Sequence, residues 1–247
     1  MGEGLKRLPE VLHGALAKAI SIQQSPVAVY VAKLRRARPD ANPAEIIAVL
    51  EKRYLAAVTS TGAAVGVAAA APGVGTGLAV ALGGSETAVF LEATALFALS
   101  VAEVHGLCVR EVERRRTLVM AVVLGDHGVM FVEKIAGRTG QHWADLLPDT
   151  IPISSIASIN KTLGRWFLTK YGRKQAVLAI GRVAPFGIGA TVGGAGNRAF
   201  GRVVINTSRR VFGPAPASFV DPAAITIIDG RTNGSLATTA VHDFSCA

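Results

Sequence analysis

Glu92 and Glu103 stand eleven residues apart, three turns of a helix, so on one helix they share a face about 16 Å apart along the axis. A glycosidase pair needs roughly 5–10 Å, and a shared metal less. The spacing therefore predicts solvated acids, or acids paired across a helix interface with Arg182 or Arg198. None of the five histidines, His13, His105, His127, His142 and His242, forms a metal spacing with a second one. His105-x-x-Cys108 lacks the further ligands of a four-coordinate structural zinc site. Ser158-Ile159-Asn160-Lys161 matches S-x-x-K, which signifies a serine acyl-enzyme only beside two partner motifs, and neither is present. Gly73-Val74-Gly75-Thr76-Gly77 and Gly187-Ile188-Gly189 have the glycine spacing of a dinucleotide loop. That loop must follow a β-strand, and the alanine run before Pro72 favours helix instead. These residues predict no catalytic centre, no metal and no cofactor, and the chain reads as non-enzymatic.

Basic residues are the second kind of chemistry. Residues 150–220 hold ten Lys/Arg and no acid, against eight Lys/Arg and eleven Asp/Glu over 41–149. Within the basic stretch, Lys161, Arg165, Lys170, Arg173 and Lys174 precede an apolar segment, and Arg198, Arg202, Arg209 and Arg210 follow it. Arg198, Arg202 and Arg209 lie at i, i+4 and i+11, on one helix face. Cations at both ends of an apolar hairpin suit anionic headgroups at a cytoplasmic leaflet. Aromatics for base stacking are sparse here and no nucleic-acid module pattern occurs, so nucleic acid is not the expected partner.

The elements that must position these groups are helices. Ser25-Pro26 opens one with Val27, Tyr30, Val31 and Leu34 on one face, and Pro39 closes it. Asn42-Pro43-Ala44-Glu45 opens another as a capping box. Tyr54 to Ser85 is a run of 32 uncharged residues. As one straight helix it would reach about 48 Å, beyond a bilayer core of about 30 Å. The expected division is a helix over 43–71, a turn at Ala71–Gly75, a short helix to 82, and a fresh helix over 86–105 after Gly83-Gly84-Ser85. Further helices are expected over 111–124, 128–136 and 155–171. A second broken unit follows from Arg173 through Pro185-Phe186-Gly187-Ile188-Gly189 to Phe212. The two units, 54–105 and 176–212, read as a weak internal repeat of hairpins. Gly62-xxx-Gly66, Gly73-xxx-Gly77 and Gly189-xxx-Gly193 place small residues in pairs on one face, where another backbone can come close.

Half the chain is apolar but only 6% is aromatic, with 27 glycines. Such small side chains suit close helix packing better than a bulky core. Two cysteines give no disulfide framework, so a reducing compartment is expected. Lys6, Arg7, Pro9, Glu10 and Lys18 break any signal-peptide core.

Two stretches resemble the EcsC-like family of bacterial proteins. One is Ala71 to Gly77 with the helix ending Val104-His105-Gly106. The other is Pro185-Phe186-Gly187-Ile188-Gly189-Ala190 through Gly193-Gly194-Ala195-Gly196-Asn197 into a basic helix. The resemblance covers roughly 45–212. It implies a helical, membrane-associated protein, sometimes linked to an ABC exporter, without established catalysis; Gly189, Gly193 and Asn197 match its second motif. The expectation is an all-α bundle in three parts: a basic helical region 1–41, an Ala/Gly-rich domain 42–213 and a loosely held tail 214–247. It would associate with the cytoplasmic face of a membrane through the basic residues and apolar hairpins, with Pro72, Gly73, Gly77 and Pro185 shaping the breaks. The alternative is a soluble interaction module that buries the same hairpins between subunits as a homo-oligomer.

Overall fold

The computed structural model describes residues 14–21, 24–69, 76–107, 109, 111–136, 152–182 and 188–219; within these, 24–25, 68–69, 76–84, 136, 153, 170–182 and 188–193 enter as helical backbone only. Eight helices and no strand occur among the described residues: α1 (14–20), α2 (Gln24–Arg36), α3 (Pro43–Ala69), α4 (Thr76–Val104), α5 (Val112–Leu124), α6 (Asp126–Ala136), α7 (Ile153–Arg182) and α8 (Ile188–Phe212). The fold is all-α.

Local chemistry sets the boundaries. Asn42 Oδ1 accepts from the Glu45 amide at 3.0 Å, and Glu45 Oε2 accepts from the Asn42 amide at 2.9 Å, the reciprocal capping box that opens α3. Glycines with positive φ stop three helices: Gly106 after α4, Gly125 after α5 and Gly213 after α8. At Gly106 the amides of Gly106 and Leu107 reach back to the carbonyls of Glu103 and Ala102, so the last turn of α4 is not left open. Gly125 separates α5 from α6 by a single residue. A Cβ on Gly128 would stand 2.8 Å from the Ala121 carbonyl oxygen and 2.9 Å from Ala121 Cα, so the sharp corner requires glycine there.

The centre of the bundle is α4. Phe90, Leu91, Ala95, Ala98, Leu99 and Ala102 are all buried in it, and it contacts α2, α3, α5, α7 and α8. α3 and α8 form the largest interface and run antiparallel. Glu51 meets Arg209, Val58 meets Asn197, and Ala63 lies beside Gly194. Small residues on α8 permit the approach. A Cβ on Gly194 would be 3.4 Å from Ala63 Cβ, and one on Gly201 would be 3.0 Å from both Leu55 Cδ1 and Val58 Cγ2. α5, buried over nearly its whole length, packs on α6 and α7.

Several expectations need correction. α4 is one helix from Thr76 to Val104, running straight through Gly83-Gly84-Ser85. Each glycine costs a helix about 1 kcal/mol, which packing of the rest of α4 outweighs. α7 likewise joins the expected 155–171 helix to the first arm of the second hairpin. α8 packs mainly on α3 and α7 mainly on α5, with a smaller contact between α7 and α8. The 1–41 region is not set apart, because Leu16, Ile20, Val27, Val31 and Leu34 belong to the common core. The start of the tail is held: Phe219 packs against that core with the Arg35 guanidinium 4.0 Å over its ring. The breaks at Pro72-Gly73 and Pro185 lie outside the described residues.

Candidate functional site

The basic residues divide by what they touch. Arg209 makes a two-pronged ion pair with Glu51 of α3, Nε to Oε1 at 2.8 Å and Nη2 to Oε2 at 2.6 Å. The pairing raises the Arg209 pKa further above its ordinary value. Arg210 crosses to α6, with Nη2 3.0 Å from Glu133 Oε2 and Nη1 3.5 Å from Asp126 Oδ1. Both arginines tie helix to helix while their side chains stay partly exposed. Lys161, Arg165, Arg198 and Arg202 are exposed, and among the described residues none has an acidic partner. Side chains of Lys170, Arg173 and Lys174 lie outside the described residues. Arg198 and Arg202 share their face of α8 with Arg209, beside α3; Lys161 and Arg165 stand one turn apart on α7.

Beside Arg165, Trp166 is partly exposed and its ring meets Phe131 of α6 at 4.9 Å. Sequence spacing could not announce this meeting, since α6 and α7 are separated by a long connection.

Of the expected packing residues, the surroundings of Gly62, Gly66 and Asn197 are described. Asn197 is fully buried; its Nδ2 donates to the Val58 carbonyl at 3.1 Å and to Glu86 Oε1 at 2.7 Å, tying α8 to α3 and α4 at once. Glu86, also buried, carried no signal in the sequence. Gly62 and Gly66 are buried on α3. The surroundings of Gly77, Gly189 and Gly193 lie outside the described residues, as do Pro72, Gly73 and Pro185. The close-approach glycines that the structure does show on α8 are Gly194 and Gly201, seven residues apart on one face.

A second polar tie joins α5 to α7. Thr117 Oγ1 donates to Asn160 Oδ1 at 2.8 Å, and Asn160 Nδ2 donates to the Glu113 carbonyl and to Glu113 Oε2 at 2.9 and 2.7 Å. In Ser158-Ile159-Asn160-Lys161, Ile159 and Asn160 are buried, while Ser158 and Lys161 face solvent. Glu92 pairs with Lys18 of α1 at 2.8 Å, not with Arg198; the Arg182 side chain lies outside the described residues. Tyr54, stacked on Phe97 and bonded to Thr94 Oγ1 at 2.9 Å, is buried deeply enough that its phenol pKa is pushed up.

A groove of about 460 Å³ opens between the first half of α3 and the ends of α4 and α8. Glu51, His105, Ser208 and Arg209 line it among apolar walls that include Ile47, Val101 and Phe212. A serine, a histidine and a glutamate would suit nucleophilic catalysis. Among the described residues, however, no hydrogen bond joins Ser208 to His105, and both Glu51 oxygens are occupied by Arg209. The His105 ring lies against Phe212 instead, centroids 5.4 Å apart. Among the described residues no three of His, Cys, Asp and Glu converge to hold a metal ion. The glycine run at 73–77 follows helix α3, not the strand that a dinucleotide loop requires.

Comparison with known proteins gives no matching family model, no similar curated protein and no similar solved structure. What the chain itself defines is an all-α bundle with a pinned core and exposed cations on α7 and α8.

Proposed function

We propose that this is a non-enzymatic, peripherally membrane-associated helical protein whose α7 and α8 surfaces dock on anionic headgroups. One observation carries the reading: Lys161, Arg165, Arg198 and Arg202 are exposed with no acidic partner among the described residues, in a stretch that holds no acid from 150 to 220. Each basic residue near an anionic leaflet contributes about 1 kcal/mol, screened by salt. The likeness of 71–77 and 185–197 to EcsC-like proteins points the same way, and with it a role as accessory or scaffold to a transporter at the cytoplasmic face.

The test is co-sedimentation with phosphatidylglycerol vesicles against phosphatidylcholine vesicles. The wild type is expected to bind the anionic vesicles and to come off in high salt. The fourfold variant Lys161→Glu, Arg165→Glu, Arg198→Glu, Arg202→Glu should lose at least about tenfold in affinity. Equal recovery with both lipids, or none with either, would sink the reading.

A second reading has its own support. Ser85–Val104 is the one described stretch long and apolar enough to cross a bilayer, and 67% of it is buried inside the bundle. That favours a soluble interaction module. A homogeneous oligomer by light scattering without detergent, together with no lipid binding, would select it.

A further inference from the structure

The geometry points to the α6–α7 corner, with Trp166, Met130 and Ile135 as its anchors, as the part of this protein that inserts into an anionic membrane surface. This rests on the membrane reading above and replaces the Pro-broken hairpins, from which that reading began, with a different insertion element.

Large apolar side chains are concentrated here. Met130 is 59% exposed, Ile135 43% and Trp166 40%. On α6, Met130, Phe131, Lys134 and Ile135 fall within one arc of the helix. The Trp166 ring rests on Phe131 at a tilt of 59°, so the indole is held by its inner contact while its outer part faces solvent. A braced tryptophan loses little freedom when it enters the headgroup region, and tryptophan favours that region because one ring is both apolar and hydrogen-bonding.

Among the described residues, the unpaired charge around these anchors is positive. α6 has two acids, Asp126 and Glu133, and Arg210 of α8 pairs with both. Lys134 on α6 and Lys161 and Arg165 on α7, the two helices that the Phe131–Trp166 contact joins, are exposed. Cations on long stems can hold phosphates while their methylenes follow the apolar residues inward. The occupant follows from this complementarity: a leaflet of anionic lipid. The three side chains expose roughly a few hundred Å², well below the roughly 800 Å² that each partner buries in a standard protein interface. A second copy of the chain is therefore the weaker fit.

The experiment uses the full chain with Trp143→Phe, so that Trp166 is the sole indole. Vesicles of phosphatidylglycerol with brominated acyl chains are compared with unbrominated ones. Trp166 emission is expected to shift to the blue on binding and to be quenched by the brominated lipid. The double variant Met130→Glu, Ile135→Glu alters two exposed positions and leaves the Phe131–Trp166 contact in place. It should weaken binding about tenfold with an unchanged circular dichroism spectrum; Val29→Glu, at an exposed site on α2, should not. Binding with unshifted, unquenched emission would overturn this anchor and leave the membrane reading standing. Absence of binding to phosphatidylglycerol would overturn both. A blue shift that follows protein concentration, without lipid, would assign the patch to a second copy.

Discussion

The α3–α8 seam and the α5–α6 corner both depend on glycine, and they use it to opposite degrees. Along the seam a new methyl group at Gly194 would meet Ala63 Cβ at 3.4 Å and the Thr59 carbonyl oxygen at 3.6 Å, both ordinary contacts, and one at Gly201 would meet the side-chain ends Leu55 Cδ1 and Val58 Cγ2 at 3.0 Å. At the corner the neighbour of Gly128 is backbone, the Ala121 carbonyl at 2.8 Å. Side chains can turn aside, but a carbonyl held in a helix cannot. The seam is thus a tolerant contact fixed by a polar pin, and the corner is an intolerant contact fixed by shape. A small-xxx-small pattern does not distinguish these cases, because it counts glycines without saying what faces them.

The largest effect should come from the corner. Gly128→Val is expected to destabilise by about 3 kcal/mol or more, read as a thermal midpoint lower by roughly 2–4 °C per kcal/mol. If the variant melts like the wild type, α5 and α6 do not meet as described. On the seam, Asn197→Ala removes the donor that serves Val58 and Glu86 together. A buried carboxylate then lacks one of its hydrogen bonds, at a cost of about 2–3 kcal/mol in urea unfolding. An effect below about 0.5 kcal/mol would remove the pin from the account.

A smaller effect tests the core beside the seam. The Tyr54 phenol loses its proton less readily when folded than its ordinary value of 10.0, because burial disfavours the charged form. Stability from this group is complete below pH 10 and falls as pH rises above it, since the unfolded chain releases the proton first. Tyr54→Phe should flatten that alkaline loss while costing about 1 kcal/mol at neutral pH through the missing bond to Thr94. The smallest change has the opposite sign. Gly194→Ala should stabilise by about 0.5–1 kcal/mol, because alanine is the better helix former and its methyl meets Ala63 at an ordinary distance. Destabilisation there would mean that the seam is as tight as the corner.

What was legible in advance was local. The capping box of Asn42 and Glu45, the buried face of α2 and the helix ends near 105, 124 and 212 each depend on residues a few positions apart. What was not legible lies across the fold. Arg209 and Arg210 read as a free basic surface because their acids, Glu51 and Glu133, stand 158 and 77 residues away. Glu86 gave no hint of burial beside Asn197, because a carboxylate enters a core only when a distant donor meets it. Gly83-Gly84 read as a break because glycine weakens an isolated helix, and the environment that holds α4 together comes from five other helices. Asn197 was legible as a packing position through the motif it sits in, but its polar role was not.

The length of chain between Val58 and Asn197, 139 residues, also bears on how the protein is made. At about 5–20 residues per second, α3 leaves the ribosome on the order of ten seconds before its partner α8 exists. During that interval the glycine- and alanine-rich face of α3 has no native cover. A nascent chain in this condition calls for a holding chaperone or an early encounter with a lipid surface, and truncation anywhere before α8 should yield aggregate instead of a smaller folded body.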